Sequence, residues 1–227
     1  MCLAGILSSL CIGALSYWFQ KQHIIREAKT RSTLILDYVN ASSGFFEHSQ
    51  KALVNELLHD TSNFYPELTN GFMLLREISE LFATNNQEHN FHLASLNPLN
   101  KKNAATRDER RIIEKFRSNP QLQRHDGLIK ENGDIFYYIA SPVKVTGNFC
   151  LNCHGNPEKA PRAQVILYGM DSGYNWQKGD TVSAAIVRVS LQNSIREAKN
   201  SAMKLFIISF ICFMLSFLAL ILFFDRG

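Results

Sequence analysis

The sequence predicts an α+β fold: helices first, then an antiparallel sheet, with an apolar segment at either end. Three observations predict it. Apolar residues recur at helical spacing from Gln22 to about His59 and again from Leu68 to Phe82. β-Branched and alternating segments gather after residue 125, around an Asn132-Gly133 turn signal. Neither the stretch from Cys2 to Phe19 nor that from Leu205 to Phe224 holds a charged residue.

About 20 apolar residues span the hydrocarbon core of a bilayer. The Phe-, Leu- and Ile-rich stretch 204–224 is therefore read as a transmembrane helix. Stretch 1–20 is richer in Ser and Gly, and a signal peptide is the alternative. It lacks a basic leading region, and no small-x-small cleavage site follows it. Tyr17, Trp18 and Lys21 suit an interfacial boundary. The expected plan is a first span over 1–20, a domain outside the bilayer over 21–203, and a second span over 204–224.

Within that domain, 21–83 reads as helical, with a bend at Ser42-Ser43-Gly44. The polar stretch from Asn85 to Ala105 contains an Asn97-Pro98 turn signal. Thr106 and Glu109 have capping-box spacing and open a helix through Phe116, closed by Asn119-Pro120. Strands are expected over 125–130, 134–140, 164–168 and 181–191. An exit helix over 192–203 leads into the second apolar segment. The net charge is only +4 and the basic residues are interspersed, the longest cluster being Arg107, Arg110 and Arg111. That is a solvated helix face, and it excludes a nucleic-acid interface.

Cysteine usage is uneven. Cys2, Cys11 and Cys212 lie in the apolar ends, where they read as small hydrophobes. Cys150-Leu151-Asn152-Cys153-His154 is the attachment signature for a single covalent haem c. Two thiols must reach the two vinyl groups of one macrocycle, and the next residue must bring an imidazole to the iron as proximal ligand. The alternatives are a thioredoxin-like redox pair and half of a zinc site. A redox pair belongs at a helix start in a βαβ setting, whereas Pro157 and a loop are expected here. A zinc site needs a second Cys/His pair, and none is apparent. In bacteria c-type haem is attached outside the cytoplasm. The motif therefore places the domain on the periplasmic or outer side of the cytoplasmic membrane.

Beyond this pentapeptide the chain resembles the PAS-like periplasmic c-haem sensor domains of bacterial histidine kinases, chemotaxis receptors and diguanylate cyclases. The matching residues are Phe91 to Asn100 with Asn103-Ala104, the helix Glu109 to Phe116, Tyr138, and Pro142-Val143. Cys150 to Gly155, Pro157, Ala160-Pro161, Tyr168-Gly169, Gly173-Tyr174, Trp176 and Gly179-Asp180 complete them, and Pro66 to Thr69 is similar too. The resemblance implies a PAS-like sheet over 90–191 binding haem beside a long helix, a homodimer, and a partner that receives the signal. It departs in one respect: no kinase, methyl-accepting or cyclase sequence follows the second apolar segment.

Family members differ in the distal ligand, and the sequence leaves it open. Met73 is the first candidate, with His59 and then His48 as alternatives, and a water-bound or open site also stands. His92 suits a structural hydrogen bond better. His125 and Met170 are weaker candidates, and His23 and His89 read as surface residues. Phe149, Tyr138, Tyr168 and Trp176 are candidate pocket walls. Arg162 or Lys159 is a candidate partner for a haem propionate. Two functions are consistent with these features: a sensor of redox poise or of a small gaseous ligand, and an anchored electron carrier with a redox partner. A peroxidase would need a distal His/Arg pair, which is not recognisable, so no enzymatic activity is expected.

Overall fold

The helical periodicity that starts near Gln22 continues the apolar stretch before it without a break. In a computed structural model, which describes residues 2–57, 71–86, 88–131 and 133–225, both belong to one helix, α1 (Cys2–Phe45). Ser42-Ser43-Gly44 does not bend it. The irregularity falls just after, in a π-helical turn Phe46–Gln50 that leads into α2 (Lys51–Leu57). Helix α3 (Gly71–Asn85) ends about three residues later than the periodicity suggests, and residues 68–70 lie outside the described residues. His59 and the Pro66–Thr69 stretch lie outside the described residues.

Strand β1 (His89–Ser95) falls in the segment read as polar. Its polar residues alternate with Phe91 and Leu93, which are buried, so half of a strand's pattern was present in a stretch too short and polar to stand out. The capping box forms as expected: the Thr106 hydroxyl accepts from the Glu109 amide, and the Glu109 carboxylate accepts from the Thr106 amide at 2.9 Å. It opens α4 (Arg107–Ser118). Strands β2 (His125–Glu131) and β3 (Asp134–Lys144) form the expected hairpin.

The expected strand over 164–168 is a helix. Helix α5 (Asn148–His154) and helix α6 (Arg162–Tyr168) lie between β3 and strand β4 (Thr181–Ser190). The short, largely apolar segment 164–168 fits either period, and its flanks decide. Pro161 sits at the α6 N-cap, and Gly169, at φ +78°, stops the helix in a conformation that disfavours other residues.

The sheet is antiparallel, in the order β1-β4-β3-β2. Alternation gives it two buried faces. On one, Leu36 and Val39 of α1 and Leu75 of α3 pack against Phe91, Leu93, Tyr137, Ile139 and Val187. On the other, Ile112, Ile113 and Phe116 of α4 meet Ala94, Tyr138, Ala140 and Ile186. The neighbours Tyr137 and Tyr138 therefore belong to different cores.

Helix α7 (Gln192–Phe224) joins the exit helix and the second apolar segment in 33 residues. Among the described residues it is the one helix long and apolar enough to cross a membrane. The start of α1 intersperses the small residues Gly5, Ser9 and Gly13 among its apolar ones. Those small residues have a packing role. A Cβ at Gly5 would stand 2.1 Å from Phe213 of α7, and one at Gly13 would stand 3.3 Å from Phe206. Ser9, between them, is buried. Leu7, Leu10, Leu15 and Phe19 of α1 are left exposed.

Phe116 is 0% exposed at the centre of the α4 core. Phe116→Ala is expected to cost about 3–5 kcal/mol in urea unfolding, whereas Leu128→Ala, at an exposed position, should change stability by less than about 0.5 kcal/mol. Equal losses in the two variants would contradict this placement of the core.

Candidate functional site

The long connection between β3 and β4 is tied shut at its base. The Val145 amide donates to the Asp180 carbonyl at 2.9 Å, and the Gly179 amide donates to the Val145 carbonyl at 2.8 Å. Within this connection the Cys-x-x-Cys-His motif occupies α5, where a loop was expected. Positions i, i+3 and i+4 share one face of a helix. Helical geometry therefore sets Cys150, Cys153 and His154 side by side, with both thiols half-buried and neither in a disulfide. The neighbouring strands are antiparallel, so this is not the βαβ setting of a thioredoxin-like pair. Among the described residues no group of three or more His, Cys, Asp or Glu side chains is arranged to hold a lone metal ion.

The His154 ring is oriented by its surroundings. Its Nδ1–H donates to the Gly173 carbonyl at 2.7 Å. A carbonyl can only accept, so this bond places the ring's basic lone pair on Nε2, as in histidines that ligate metals. The Trp176 ring stacks on the imidazole at 3.9 Å with 8° between the planes. The Trp176 amide donates to the His154 carbonyl at 3.0 Å, and the Asn175 amide to that of Gly155 at 2.8 Å. Gly173 has φ +80°, and a Cβ there would lie 2.5 Å from Leu99 Cγ, so both its backbone and its neighbour require glycine. Gln164 is buried and donates to the Cys153 carbonyl at 2.7 Å. Sequence reasoning missed both supporting roles: Gly173 appeared only within the familial stretch, and Gln164 read as part of a strand.

His154 opens onto a cleft that is partly open to solvent. Met73, Leu99, Tyr168 and Trp176 line it, together with Arg76, Asn103 and Ser183. The structure thus brings together four of the predicted residues: His154, Tyr168, Trp176 and Met73. Tyr138 is not among them, because strand alternation turns it into the α4 core, edge-on to His125. Phe149 is exposed beside the motif and does not line the cleft. Arg162 and Lys159 are exposed and do not line it either. His48 is exposed on the π-helical turn, His125 sits 3.1 Å from Lys115 Nζ, and Met170 is exposed.

A polar pair braces the loop after β1. His92 Nδ1 donates to Glu109 at 3.0 Å, and Nε2 donates to the Lys102 carbonyl at 3.2 Å. Lys102 adjoins Asn103 and is close to Asn100, both on the cleft wall. Glu109 is only 1% exposed. Burial opposes charging either group, but the shared hydrogen bond and the opposite charges outweigh it. His92 is held above its ordinary value of 6.5 and Glu109 below its ordinary value of 4.5.

Comparison with known proteins gives two findings. The model of the Tll0287-like family matches residues 20–190. The fold is similar to that in a crystal structure titled as the cyanobacterial haem protein Tll0287, with a TM-score of 0.51 and 20% sequence identity over 68% of this chain and 94% of that one. No curated protein gives a significant match.

The pair sets a pH dependence. The His92 contribution is complete below about pH 6.5 and is lost as pH rises through its raised folded value. The Glu109 contribution is present above about pH 4.5 and is lost as pH falls through its lowered folded value. Together they stabilise the fold most between those two pH values. Unfolding free energies measured against pH should therefore fall above pH 6.5 more steeply in the wild type than in Glu109→Gln. Identical slopes would contradict the coupling.

Proposed function

This chain belongs to the Tll0287-like family, and from that premise we propose that it is a membrane-anchored protein with one covalent haem c. Cys150 and Cys153 carry the thioether links, and His154 Nε2 is the proximal ligand. One observation carries this reading: two thiols and an imidazole on one face of α5, with the imidazole held at Nδ1 by Gly173 beside a cleft. The similar crystal structure is that of a haem protein, which agrees with it. When bound, the haem supplies an iron that changes valence by one electron and accepts a sixth ligand.

Trp176 and Tyr168 serve as cleft walls. Met73 is the distal candidate favoured by its place on the same cleft, and a thioether there would raise the potential. His59 is the alternative, in the segment outside the described residues.

The role proposed is a sensor of redox poise or of a small ligand, in keeping with the PAS-like character suggested for residues 90–191. Support comes from how α1 meets the sheet. Lys29 Nζ lies 3.3 Å from Asp126, Asp126 accepts from the Tyr137 hydroxyl, and Asp37 pairs with Arg124. Above these contacts α1 continues into its apolar end, and α7 leaves β4 for its own. A displacement at the site would pass through α3 and the sheet to α1 and α7, and along these helices to the bilayer. The Gly5, Ser9 and Gly13 seam supports α1 as a second span. In lipid, helices associate through small residues and turn large apolar ones outward. The extracytoplasmic side is assigned because bacterial haem c is attached there.

An electron carrier is the second reading. Phe149, Ile166, Leu167 and Met170 are exposed on the connection that bears the motif, an apolar surface that would suit a transient redox partner. Fast CO or NO binding to the reduced protein favours sensing, and an inert six-coordinate haem favours transfer.

With a haem-maturation system, the wild type should retain its haem through acid-acetone extraction, and Cys150→Ala/Cys153→Ala should lose all of it. Covalent haem in the double variant would overturn the attachment.

A further inference from the structure

The cleft has polar groups in its lining. Arg76 of α3, Asn103 of the loop after β1 and Ser183 of β4 all line it. They converge because Ser183 pairs with Ser95 across β1 and β4, Ser95 bridges to Ala104, and α3 packs along β1. Ser183 is 0% exposed and Asn103 8%, yet Ser183 Oγ and Asn103 Oδ1 have no hydrogen-bond partner. Arg76 Nε is buried without one as well. Glu80 is 3.9 Å from that nitrogen, too far for a hydrogen bond, and is engaged by Lys102 Nζ at 3.0 Å. Glu77 meets only the Arg76 Nη2 corner, at 3.1 Å, and is half-exposed.

Buried polar atoms are nearly always paired, so three unpaired ones in the residues lining one cleft point to a polar ligand group. Arg76 and Ser183 can both donate, and the Asn103 amide can present its NH₂ by rotation. A guanidinium with neighbouring donors matches a carboxylate. A haem carries its two carboxylates on the edge of the macrocycle away from the vinyl groups, which Cys150 and Cys153 would hold. Arg162 and Lys159, the cations that the sequence suggested, are exposed and off the cleft.

Building on the haem assignment above, we propose that Arg76, with Ser183 and Asn103, binds the carboxylate edge of the haem. Arg76 then holds a propionate ionised, and its positive charge favours reduced iron.

The test uses the full chain, matured with haem, as wild type, Arg76→Gln, Arg76→Lys and Ser183→Ala. Covalent haem is quantified first. The midpoint potential is then followed against pH, and the propionate-bending band is recorded by resonance Raman. Removing the cation in Arg76→Gln should raise the pH at which the potential breaks by about one unit, a tenfold change in proton affinity, and should shift the band. Arg76→Lys should restore most of the break, and Ser183→Ala should shift the band to a lesser degree. An unmoved break and band in Arg76→Gln, with haem still covalently held, overturns the assignment and leaves the haem reading standing. If Arg76→Gln fails to mature, an unchanged band in Ser183→Ala, which removes only one hydroxyl, overturns it instead. A wild type that matures without covalent haem overturns the haem reading, and this assignment with it.

Discussion

The hydrogen bond from His154 Nδ1 to the Gly173 carbonyl is the contact on which the rest of the site depends. It sets the tautomer and the ring plane, and so decides where the other nitrogen points. Much of the connection between β3 and β4 serves to hold its acceptor. Gly173 reaches the ring only because a left-handed backbone lets it lie against Leu99, and Ser172 fastens that contact by donating to the Pro98 carbonyl at 3.0 Å. On the other side, Gln164 holds α5 through the Cys153 carbonyl, and Tyr174 donates to the Gly169 carbonyl at 3.0 Å. These bonds close on one another, so the imidazole is braced from two directions.

The sheet carries this site at one end and the long helices α1 and α7 along one face. Its two cores divide the labour. The α4 core, with the His92–Glu109 pair, fixes the loop that forms the cleft wall. The opposite core fixes α1 and α3, and α3 brings Met73 and Arg76 to the cleft. A change at the cleft therefore meets α3 and β1 before it meets α1. At the far side of the sheet, polar contacts at Asp126 and Arg124 hold α1 in register. The tyrosine of that group has its proton held tightly: burial and then the Asp126 carboxylate push the Tyr137 hydroxyl well above its ordinary value.

Features governed by near neighbours along the chain were legible. The capping box at Thr106, the hairpin around Gly133 and the continuous helix α7 each depend on residues within a few positions of one another. The errors fall where a short segment fits two periods. Residues 164–168 suit strand or helix until Pro161 and Gly169 are weighed as its ends, and β1 hides half its pattern among polar residues. Tyr138 was placed at the site because it lies near the motif in the familial pattern. One step of strand alternation moves it to the other face.

By itself the sequence determined which reactive groups stand together, because Cys150, Cys153 and the adjoining His154 imidazole require only a fixed local spacing to share one helix face. The tertiary structure alone decided how that imidazole is oriented and what faces it. Gly173 lies 19 residues from His154, while Arg76, Asn103 and Ser183 come from three separate elements. Such juxtapositions follow from sheet register and helix packing, where burial and close approach act between segments with no proximity along the chain. No local pattern carries that information.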